Sequence, residues 1–440
     1  MALRRSALRP AARLQAAIEI IDRIRQGLFP PDRILAQTWR ERRYAGAKDR
    51  VAIAGLVYAV LRQWGVVAAL AGPGCAARRA CLALLATRRL PDVPDPAAAF
   101  AGEAYGPAAL SAAEAAWVAE LGAEPGSPPA WAVANLPAWL EAAYRQRFGE
   151  AFALETAALN RPAPLDLRVN GLRATREAVA AELAAAGIVA SPTTYAPLGL
   201  RLPGPVRLQH LPAYRQGRVE VQDEGSQVAA ALVGAAAGET VVDLCAGAGG
   251  KSLAMAAAMA DRGQLHCFDT DATRLAEAAG RLARAGATLA RCRPLSGDHR
   301  ELAALRGRCD RVLVDAPCSG TGTGRRDPLV AWRLTPAGLT DLAALQGRLL
   351  DLAAELLRPG GQLVYVTCSV LEAENEAVVG EFLEQNRHFA PRPLAGAWQR
   401  HLHGEMPGSG RTLLLTPHRH GTDGFFVAAM GRDNASSPTA

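Results

Sequence analysis

Two cysteines in short polar segments are the residues whose types and positions most clearly suggest chemistry. Cys318 lies in DAPCSGTG (315–322), and Cys368 lies in TCS (367–369). Each segment directly follows an apolar run that is predicted to be a β-strand. Because active residues in open α/β sheets lie beyond the carboxyl ends of the strands, neighbouring strands would direct both thiols into one pocket. A single cysteine is usually a core residue, but this arrangement predicts reactive thiols.

Two thiols beside a carboxylate suit methylation of a cytosine ring. Carbon 5 of cytosine is a poor nucleophile, and a thiolate that adds to carbon 6 turns the ring into an enamine that can accept a methyl group. A base must then remove the carbon 5 proton before the thiol leaves. Asp315 could bind the ring nitrogen or exocyclic amine and stabilise the developing charge. The residues alone permit either Cys318 or Cys368 to be the nucleophile.

A glycine-rich turn predicts a cofactor site. The segment VVDLCAGAGGKSLAMAAAM (241–259) has the pattern of a strand, a turn and a helix. Gly247, Gly249 and Gly250 allow the backbone to approach a ligand closely, and the following helix N-terminus favours an anionic group. A dinucleotide fingerprint requires GxGxxG, whereas this turn reads GxGG. S-adenosylmethionine, which has no pyrophosphate, therefore fits better than a nicotinamide dinucleotide.

Two acids follow the next predicted strands. Asp269 ends the second strand, about twenty residues beyond the turn, where an acid binds ribose hydroxyls. Asp298, after Gly297, follows the third strand and could reach an adenine amino group. The turn and the two acids together predict a cofactor that contains a nucleoside.

The elements that position these residues alternate between strand and helix over residues 222–431. This alternation predicts a parallel, doubly wound sheet. The predicted strands include TVVDL (240–244), QLHCF (264–268), RVLVD (311–315), QLVYV (362–366) and FFVAAM (425–430). Residues 432–440 have the composition of a disordered tail.

Residues 1–128 are predicted to form an all-α domain. One helix spans 11–28 and another spans 48–65, and further helices lie near 76–87 and 111–121. The predicted apolar stripes are Leu14, Ala17, Ile18, Ile21, Ile24 and Leu28, then Val51, Ala54, Val57, Tyr58, Leu61 and Trp64. A proline- and glycine-containing stretch at 122–129 is typical of a linker.

Residues 129–221 are predicted to form a small α/β module. Its predicted elements are a helix over 138–148, a strand over 165–170, a helix over 175–187 and a strand over 188–195. Arg168, Arg173 and Arg176 are candidates to line an RNA path on this module.

Composition limits the protein class. The chain has 440 residues, of which 50% are apolar and 21% are charged, so a globular, multidomain protein is expected. No apolar run reaches the roughly 20 residues of a membrane span, and the basic N-terminus lacks a secretory pattern, so a cytoplasmic location is expected. The eight cysteines include no CxxC pair, so neither a metal site nor a disulfide framework is predicted.

The positive charge is concentrated at the N-terminus. The net charge is +7, and residues 1–62 contain thirteen Lys or Arg and five Asp or Glu. A basic helical segment suggests a phosphate-rich partner. A solvated helical face explains the same charges equally well.

The motifs together resemble a known enzyme family. DLCAGAGGKS, DAPCSGTG, LVYVTCSVLEAENE and DGFFVA are similar to segments of the RsmB/NOP (Sun/Fmu) family of RNA cytosine-C5 methyltransferases. KDRVAIAGLVYAVLRQWG resembles the NusB-like domain of the bacterial 16S rRNA members, and RVEVQDEGSQ resembles the segment that enters their catalytic domain. The resemblance implies a multidomain fold: an all-α NusB-like bundle (1–128), a small α/β RNA-binding or linker module (129–221) and an α/β Rossmann-like class I methyltransferase domain (222–431).

The resemblance also implies roles. Cys368 would be the nucleophile, and Cys318 would assist proton removal and release, with Asp315 as a further catalytic residue. The residues implied to surround S-adenosyl-L-methionine are Cys245, Ala246, Gly247, Ala248, Gly249, Gly250, Lys251, Asp269, Asp298 and Asp315. The implied substrate is 16S rRNA before or during small-subunit assembly. No DNA or membrane partner is expected, and the protein is expected to be a monomer.

Two other functions remain open on the sequence. The same chemistry could act on tRNA or on another rRNA site. Alternatively, the chain could be a catalytically silent RNA-binding protein of ribosome assembly. The presence of both cysteines together with Asp269, Asp298 and Asp315 favours an active enzyme.

Overall fold

The structure is a computed structural model that describes residues 8–27, 29–90, 93, 95–123, 126–204, 206–408 and 410–434. The chain divides into two compact units. One comprises the chain up to Arg161 together with Gly324–Arg333, and the other comprises Pro162–Thr323 and the chain from Leu334 onward. The predicted tail over 432–440 lies largely outside the described residues.

The first unit is helical, as predicted. Its helices are α1 (Pro10–Gln26), α2 (Pro31–Glu41), α3 (Ala47–Leu61), α4 (Trp64–Ala71), α5 (Ala77–Ala86), α6 (Pro96–Ala99), α7 (Ala112–Ala123), α8 (Ala130–Val133), α9 (Glu141–Phe148) and α10 (Phe152–Leu159). The buried stripe of α1 matches its prediction at Leu14, Ala17, Ile18, Ile21 and Ile24. Leu28 lies outside the described residues.

The predicted helix over 48–65 is wrong in two respects. The helix breaks after Leu61, and α4 begins at Trp64. Val51 is 74% exposed, whereas Ile53 and Val57 are buried. Since α3 is apolar almost all round, its sequence does not define one buried face, and Val51 is about 200° from Ile53 around the helix.

Asn135 explains why the helix breaks between α3 and α4 and why the first unit extends beyond residue 128. Its side chain accepts a hydrogen bond from the Gly65 amide (2.8 Å) and donates to the carbonyls of Leu61 (3.2 Å) and Pro328 (3.1 Å). These bonds satisfy backbone groups left free between α3 and α4. The unit therefore continues past residue 128 and includes the segment Gly324–Arg333.

No single helix in the described ranges is long and apolar enough to cross a membrane. The pair α3 and α4 meets the length and composition criteria together, but it is bent by 59°.

The second unit contains a small antiparallel sheet with the order β2-β3-β1-β4. Its strands are β1 (Leu165–Val169), β2 (Ser191–Pro192), β3 (Gly199–Leu202) and β4 (Val219–Val221), and its helices are α11 (Arg176–Ala185) and α12 (Pro212–Arg215). The strand predicted over 188–195 is wrong, because only two of its residues pair. Sequence analysis missed β3 and β4, which are short. Arg168 on β1 is 5% exposed, so it does not line a surface RNA path.

A larger eight-stranded sheet dominates the second unit. Its strands are β5 (Thr240–Asp243), β6 (Gln264–Asp269), β7 (Ala290–Pro294), β8 (Cys309–Asp315), β9 (Leu357–Thr367), β10 (Phe389–Pro391), β11 (Thr412–Leu415) and β12 (Phe425–Arg432). The helices are α13 (Glu224–Leu232), α14 (Gly250–Ala258), α15 (Ala272–Ala285), α16 (Pro336–Leu356), α17 (Glu376–Gln385), α18 (Ala395–His401) and α19 (Pro417–His420).

The strand order of this sheet places a crevice at β5. The order is β10-β12-β9-β8-β5-β6-β7, and β11 pairs with β12. Strands β5 to β9 pair in parallel, but β12 is antiparallel to β9. The sheet is thus Rossmann-like and mixed, which corrects the prediction of a parallel sheet. Since β5 lies between β6 and β8, the strand order reverses there, and ligands bind at such a switch point.

Candidate active site

Glycines shape the turn between β5 and α14. Gly247 and Gly249 have positive φ angles of 53° and 79°. A Cβ atom at Gly249 would lie 2.9 Å from the Cβ of Ala278, so a larger residue there would both strain the backbone and collide with α15. The Ala246 amide donates to the Phe268 carbonyl at 2.8 Å, which ties the turn to β6.

Asp269 orders this turn from the end of β6. Its Oδ2 accepts a hydrogen bond from the Gly247 amide (2.7 Å), and its Oδ1 accepts one from the Asp271 amide (2.8 Å). The residue is 9% exposed. Each carboxylate oxygen keeps acceptor capacity beyond these bonds, so the group can shape the turn and still accept from a ligand hydroxyl.

Lys251 and Asp315 meet across the switch point. Lys251 Nζ lies 2.6 Å from Asp315 Oδ2, and the ammonium lies 5.2 Å from the centroid of the Phe425 ring. The Asp315 side chain is 32% exposed. The carboxylate is therefore oriented by a buried cation and still accessible to a ligand.

Asp298 differs from the other predicted acids. It follows β7 on an exposed loop, where its side chain is 63% exposed. Its Oδ1 accepts a hydrogen bond from Ser296 Oγ at 2.6 Å. The structure brings Asp269 and Gly247 together, and likewise Lys251 and Asp315, but it gives Asp298 no such bond to the turn among the described residues.

Asp243, at the end of β5, is a buried acid that the sequence analysis did not single out. It is 1% exposed. Its Oδ2 accepts a hydrogen bond from Ser252 Oγ at 2.6 Å. Burial raises the pKa of Asp243 to about 7. Burial also raises the pKa of the Cys245 thiol, so Cys245 contributes to the turn as a neutral side chain.

The two predicted cysteines are in contact. Strands β8 and β9 are parallel neighbours, with Asp315 opposite Val366, and each cysteine lies a few residues beyond its strand end. Their Sγ atoms are 3.4 Å apart. The hydrogen bond with Cys368, together with burial, raises the pKa of the Cys318 thiol. Either sulfur can act as the donor in this contact.

Glu374 joins the two cysteine loops, and sequence reasoning missed it. It is fully buried. Its Oε1 accepts from the Ser319 amide (2.8 Å) and its Oε2 accepts from the hydroxyls of Ser319 and Ser369 (2.6 Å for Ser369). Gln346 Nε2 donates to the same carboxylate at 3.1 Å. The signal that could have identified it was the acidic stretch EAENE (372–376) directly after the TCSVL segment.

A close approach between backbone segments also fixes the two cysteine loops. The Gly322 amide donates to the Cys368 carbonyl (2.9 Å), and the Gly424 amide donates to the Gly322 carbonyl (2.8 Å). A Cβ atom at Gly322 would lie 2.4 Å from the Gly424 carbonyl oxygen. The glycines of GTG and DGFF are thus required for three chain segments to meet beside Cys368.

Two family models match the chain. Residues 230–431 match the model described as 16S rRNA methyltransferase RsmB/F. Residues 136–209 match the ferredoxin-like domain of RsmF/B-like methyltransferases. The matched regions contain most of the larger and the smaller sheet, respectively.

Several curated relatives are similar to the chain. The ribosomal RNA small subunit methyltransferase B of Xylella fastidiosa (strain Temecula1) is 38% identical over 303 residues, which is 68% of this chain and 67% of the relative. A probable ribosomal RNA small subunit methyltransferase B of Synechocystis is 35% identical over 303 residues, 67% of this chain and 66% of the relative. The matches thus span about two thirds of the relatives' length.

Solved structures share the fold. The crystal structure of PH0851 matches with a TM-score of 0.77 and 25% identity, and the match covers 97% of this chain and 99% of that one. A methyltransferase homologue from Pyrococcus horikoshii matches with a TM-score of 0.59 and 28% identity, covering 69% of this chain and 97% of that one.

Proposed function

Because the chain belongs to the RsmB/F family of 16S rRNA methyltransferases, we propose that it methylates carbon 5 of a cytidine in 16S rRNA through a covalent adduct on Cys368. The observation that carries this proposal is the 3.4 Å contact between the sulfurs of Cys318 and Cys368. Two thiols in contact, with the accessible carboxylate of Asp315 at the end of the strand that leads to Cys318, match the needs of addition, methyl transfer and release.

The cofactor assignment is supported by the turn after β5. S-adenosyl-L-methionine supplies the methyl group when bound. Gly247 and Gly249 let the backbone approach it, and Asp269 has acceptor capacity for ribose hydroxyls. Asp298, on its exposed loop after β7, is assigned to the adenine. The remaining residues assigned to the cofactor are Cys245, Ala246, Ala248, Gly250, Lys251 and Asp315.

Cys368 is assigned as the nucleophile because it lies in the Thr-Cys-Ser segment, as the family resemblance implies, since either sulfur of the contact can act as donor. Cys318 is held in its protonated form by the hydrogen bond with Cys368 and by burial. A protonated Cys318 that donates to Cys368 Sγ stabilises negative charge on that sulfur, and the thiolate is the nucleophilic form. Cys318 thus acts on the nucleophile first and on the adduct afterwards.

The steps follow from these positions. Cys368 thiolate bonds to carbon 6, and the electron pair of the 5,6 double bond moves towards the ring nitrogen, which takes up a proton from water and gives it back when carbon 5 takes the methyl group. The Asp315 carboxylate, paired with Lys251, accepts hydrogen bonds from the ring N–H or the exocyclic amine and so favours this protonated form. Carbon 5 then takes the methyl group. Once Cys368 is bonded to carbon 6 its sulfur carries no charge, so Cys318 can lose its proton to water and, as a thiolate, accept the carbon 5 proton. The electron pair of that C–H bond restores the double bond, and the bond from carbon 6 to Cys368 breaks.

The substrate is tested by mapping. Bisulfite sequencing of total RNA from a strain that lacks the gene, and from the complemented strain, should show loss and return of one 5-methylcytidine in 16S rRNA. If the 5-methylcytidine that disappears lies in tRNA or 23S rRNA, then that RNA is the substrate of the same reaction. An unchanged methylation pattern would favour a silent RNA-binding protein.

A further inference from the structure

The thiols of Cys318 and Cys368 are close enough to react with each other. Both residues are free cysteines with partly exposed side chains, and their Sγ atoms are 3.4 Å apart. A disulfide bond requires a separation of about 2.05 Å, so the two sulfurs must approach each other by about 1.4 Å. Each sulfur moves on a Cα–Cβ bond that can rotate. The bond can therefore form without a rearrangement of the backbone.

The backbone beside both thiols is fixed by bonds that do not involve the sulfurs. The Gly322 amide donates to the Cys368 carbonyl at 2.9 Å. The Glu374 carboxylate accepts hydrogen bonds from Ser319 and from Ser369, the residues that directly follow the two cysteines. These bonds hold the loops together, so each thiol is the nearest reaction partner of the other. Such proximity favours reaction within the pair over reaction with a thiol in solution.

A second cysteine pair lies elsewhere in the same sheet. Cys267 on β6 is opposite Cys292 on β7. Cys267 is fully buried, whereas Cys292 is partly exposed. Neither residue is assigned to the cofactor or to catalysis, so oxidation of this pair would leave the proposed nucleophile intact. The second pair therefore supplies an internal control for oxidation of the active-site thiols.

We propose that Cys318 and Cys368 form a reversible disulfide that turns methylation off in the presence of a peroxide. The effect on activity rests on the proposed function, in which Cys368 attacks carbon 6 of the ring. A sulfur that is bonded to another sulfur supplies no thiolate for this addition. The oxidised protein thus forms no adduct with RNA, and thiol–disulfide exchange with a dithiol restores both groups.

The oxidation proceeds in two steps. The Cys368 thiolate attacks one oxygen of hydrogen peroxide, the O–O bond breaks, and a sulfenic acid and hydroxide form. Cys318 then attacks the sulfenic sulfur, so that the S–S bond forms, the S–O bond breaks, and the hydroxyl leaves as water with the Cys318 proton. The two sulfurs together lose the two electrons that the peroxide gains. Without Cys318, further peroxide would convert the sulfenic acid to sulfinic and sulfonic acids, which thiols do not reduce.

Peptide mapping of the full-length protein tests whether the bond forms. Wild type and Cys292→Ser, which removes the second pair, are reduced, treated with hydrogen peroxide, alkylated and digested with trypsin. Mass spectrometry should detect linked peptides that contain Cys318 and Cys368 in both proteins, and dithiothreitol should remove the link. Methylation of a 16S rRNA transcript should be lost and regained in step with this link. The proposal is overturned if peroxide inactivates wild type but not Cys292→Ser.

Cys318→Ala tests the protective role of the second thiol. This variant retains Cys368, so in its reduced form it should still form the covalent RNA complex. After excess peroxide, adduct formation should be lost, dithiothreitol should not restore it, and Cys368 should gain the mass of two or three oxygen atoms. Full recovery of Cys318→Ala with dithiothreitol would show that the disulfide is not what makes inactivation reversible, and it would overturn the proposal.

The mapping also separates this proposal from the proposed function. If peroxide links Cys318 to Cys368 but reduced wild type methylates no RNA, the proposed function fails and the disulfide assignment stands. If reduced wild type methylates RNA but peroxide never links the two cysteines, the disulfide assignment fails and the proposed function stands.

Discussion

The sulfur atoms of Cys318 and Cys368 lie 3.4 Å apart, although fifty positions separate the two residues in the chain. The contact depends on the parallel pairing of β8 with β9 and on the buried carboxylate of Glu374 between the loops. Because the two thiols are in contact, the first question to test is which one attacks the ring and which one assists release.

Single and double cysteine variants should separate the two roles. Without the nucleophile no adduct can form, so Cys368→Ala should be inactive and should form no covalent RNA complex. Without the releasing group the adduct persists, so Cys318→Ala should accumulate a protein–RNA species that appears as a shifted band on a denaturing gel. The double variant should show no such band. An adduct in Cys368→Ala but none in Cys318→Ala would reverse the assignments.

Asp269→Ala should weaken cofactor binding. The change removes the acceptor for the Gly247 amide and the proposed ribose contacts, each a charge-assisted bond of about 1.5–3 kcal/mol. Calorimetric titration with S-adenosylhomocysteine should show a loss of at least ten-fold. Glu277→Ala, at an exposed position of α15, is the control. Equal affinities in Asp269→Ala and wild type would exclude this placement of the cofactor.

Glu374→Gln should slow the reaction without affecting the cofactor. The glutamine side chain has one acceptor oxygen, whereas the Glu374 carboxylate has two. The substitution therefore removes an acceptor from either the Ser319 loop or the Ser369 loop. Stability should fall by about 1–3 kcal/mol, and kcat should fall while the KM for S-adenosylmethionine is unchanged. Rescue by Glu374→Asp would not be expected, because the side chain is shorter. A purely structural role would lower stability and leave kcat per folded molecule intact.

Asp243 should make stability depend on pH. Its pKa rises from 3.8 to about 7 on folding, so the folded state holds the proton more tightly than the unfolded state. The carboxylate therefore becomes increasingly unfavourable to folding between about pH 4 and pH 7, by at most about 4 kcal/mol at 1.36 kcal/mol per unit. Urea unfolding should show Asp243→Asn gaining stability relative to wild type from pH 5 to pH 8. A pH-independent difference would show that Asp243 does not titrate in that range.

Exposed basic residues of the helical unit should determine the salt dependence of RNA binding. Arg13 and Arg23 are paired with Asp49 and Glu41, whereas Arg33, Arg40 and Lys48 are exposed and form no ion pair in the described ranges. A variant in which Arg33, Arg40 and Lys48 are all replaced by glutamine should show a smaller salt dependence. The slope of the logarithm of the RNA-binding constant against the logarithm of the salt concentration should fall by about two to three. S-adenosylhomocysteine affinity serves as the control. An unchanged slope would identify this surface as a solvated face.

Local sequence determined which residues are candidates for the chemistry. These residues follow strand ends, and the strand, turn and helix patterns around Cys318, Cys368, the glycine turn and Asp269 are local, so spacing alone was enough to predict that they serve one site. The same local patterns predicted α1, the Rossmann-like alternation and the helical first unit.

Tertiary structure decided how these residues are held. Glu374 reaches Ser319 across fifty-five positions, and Gly322 and Gly424 touch because β12 pairs antiparallel with β9. Arg168, predicted at an RNA surface, is buried instead. Strand register and the partners of buried polar groups depend on residues far apart in the chain. For that reason the sequence alone was enough to predict the candidate reacting groups, while only the folded chain showed the carboxylate that joins their loops.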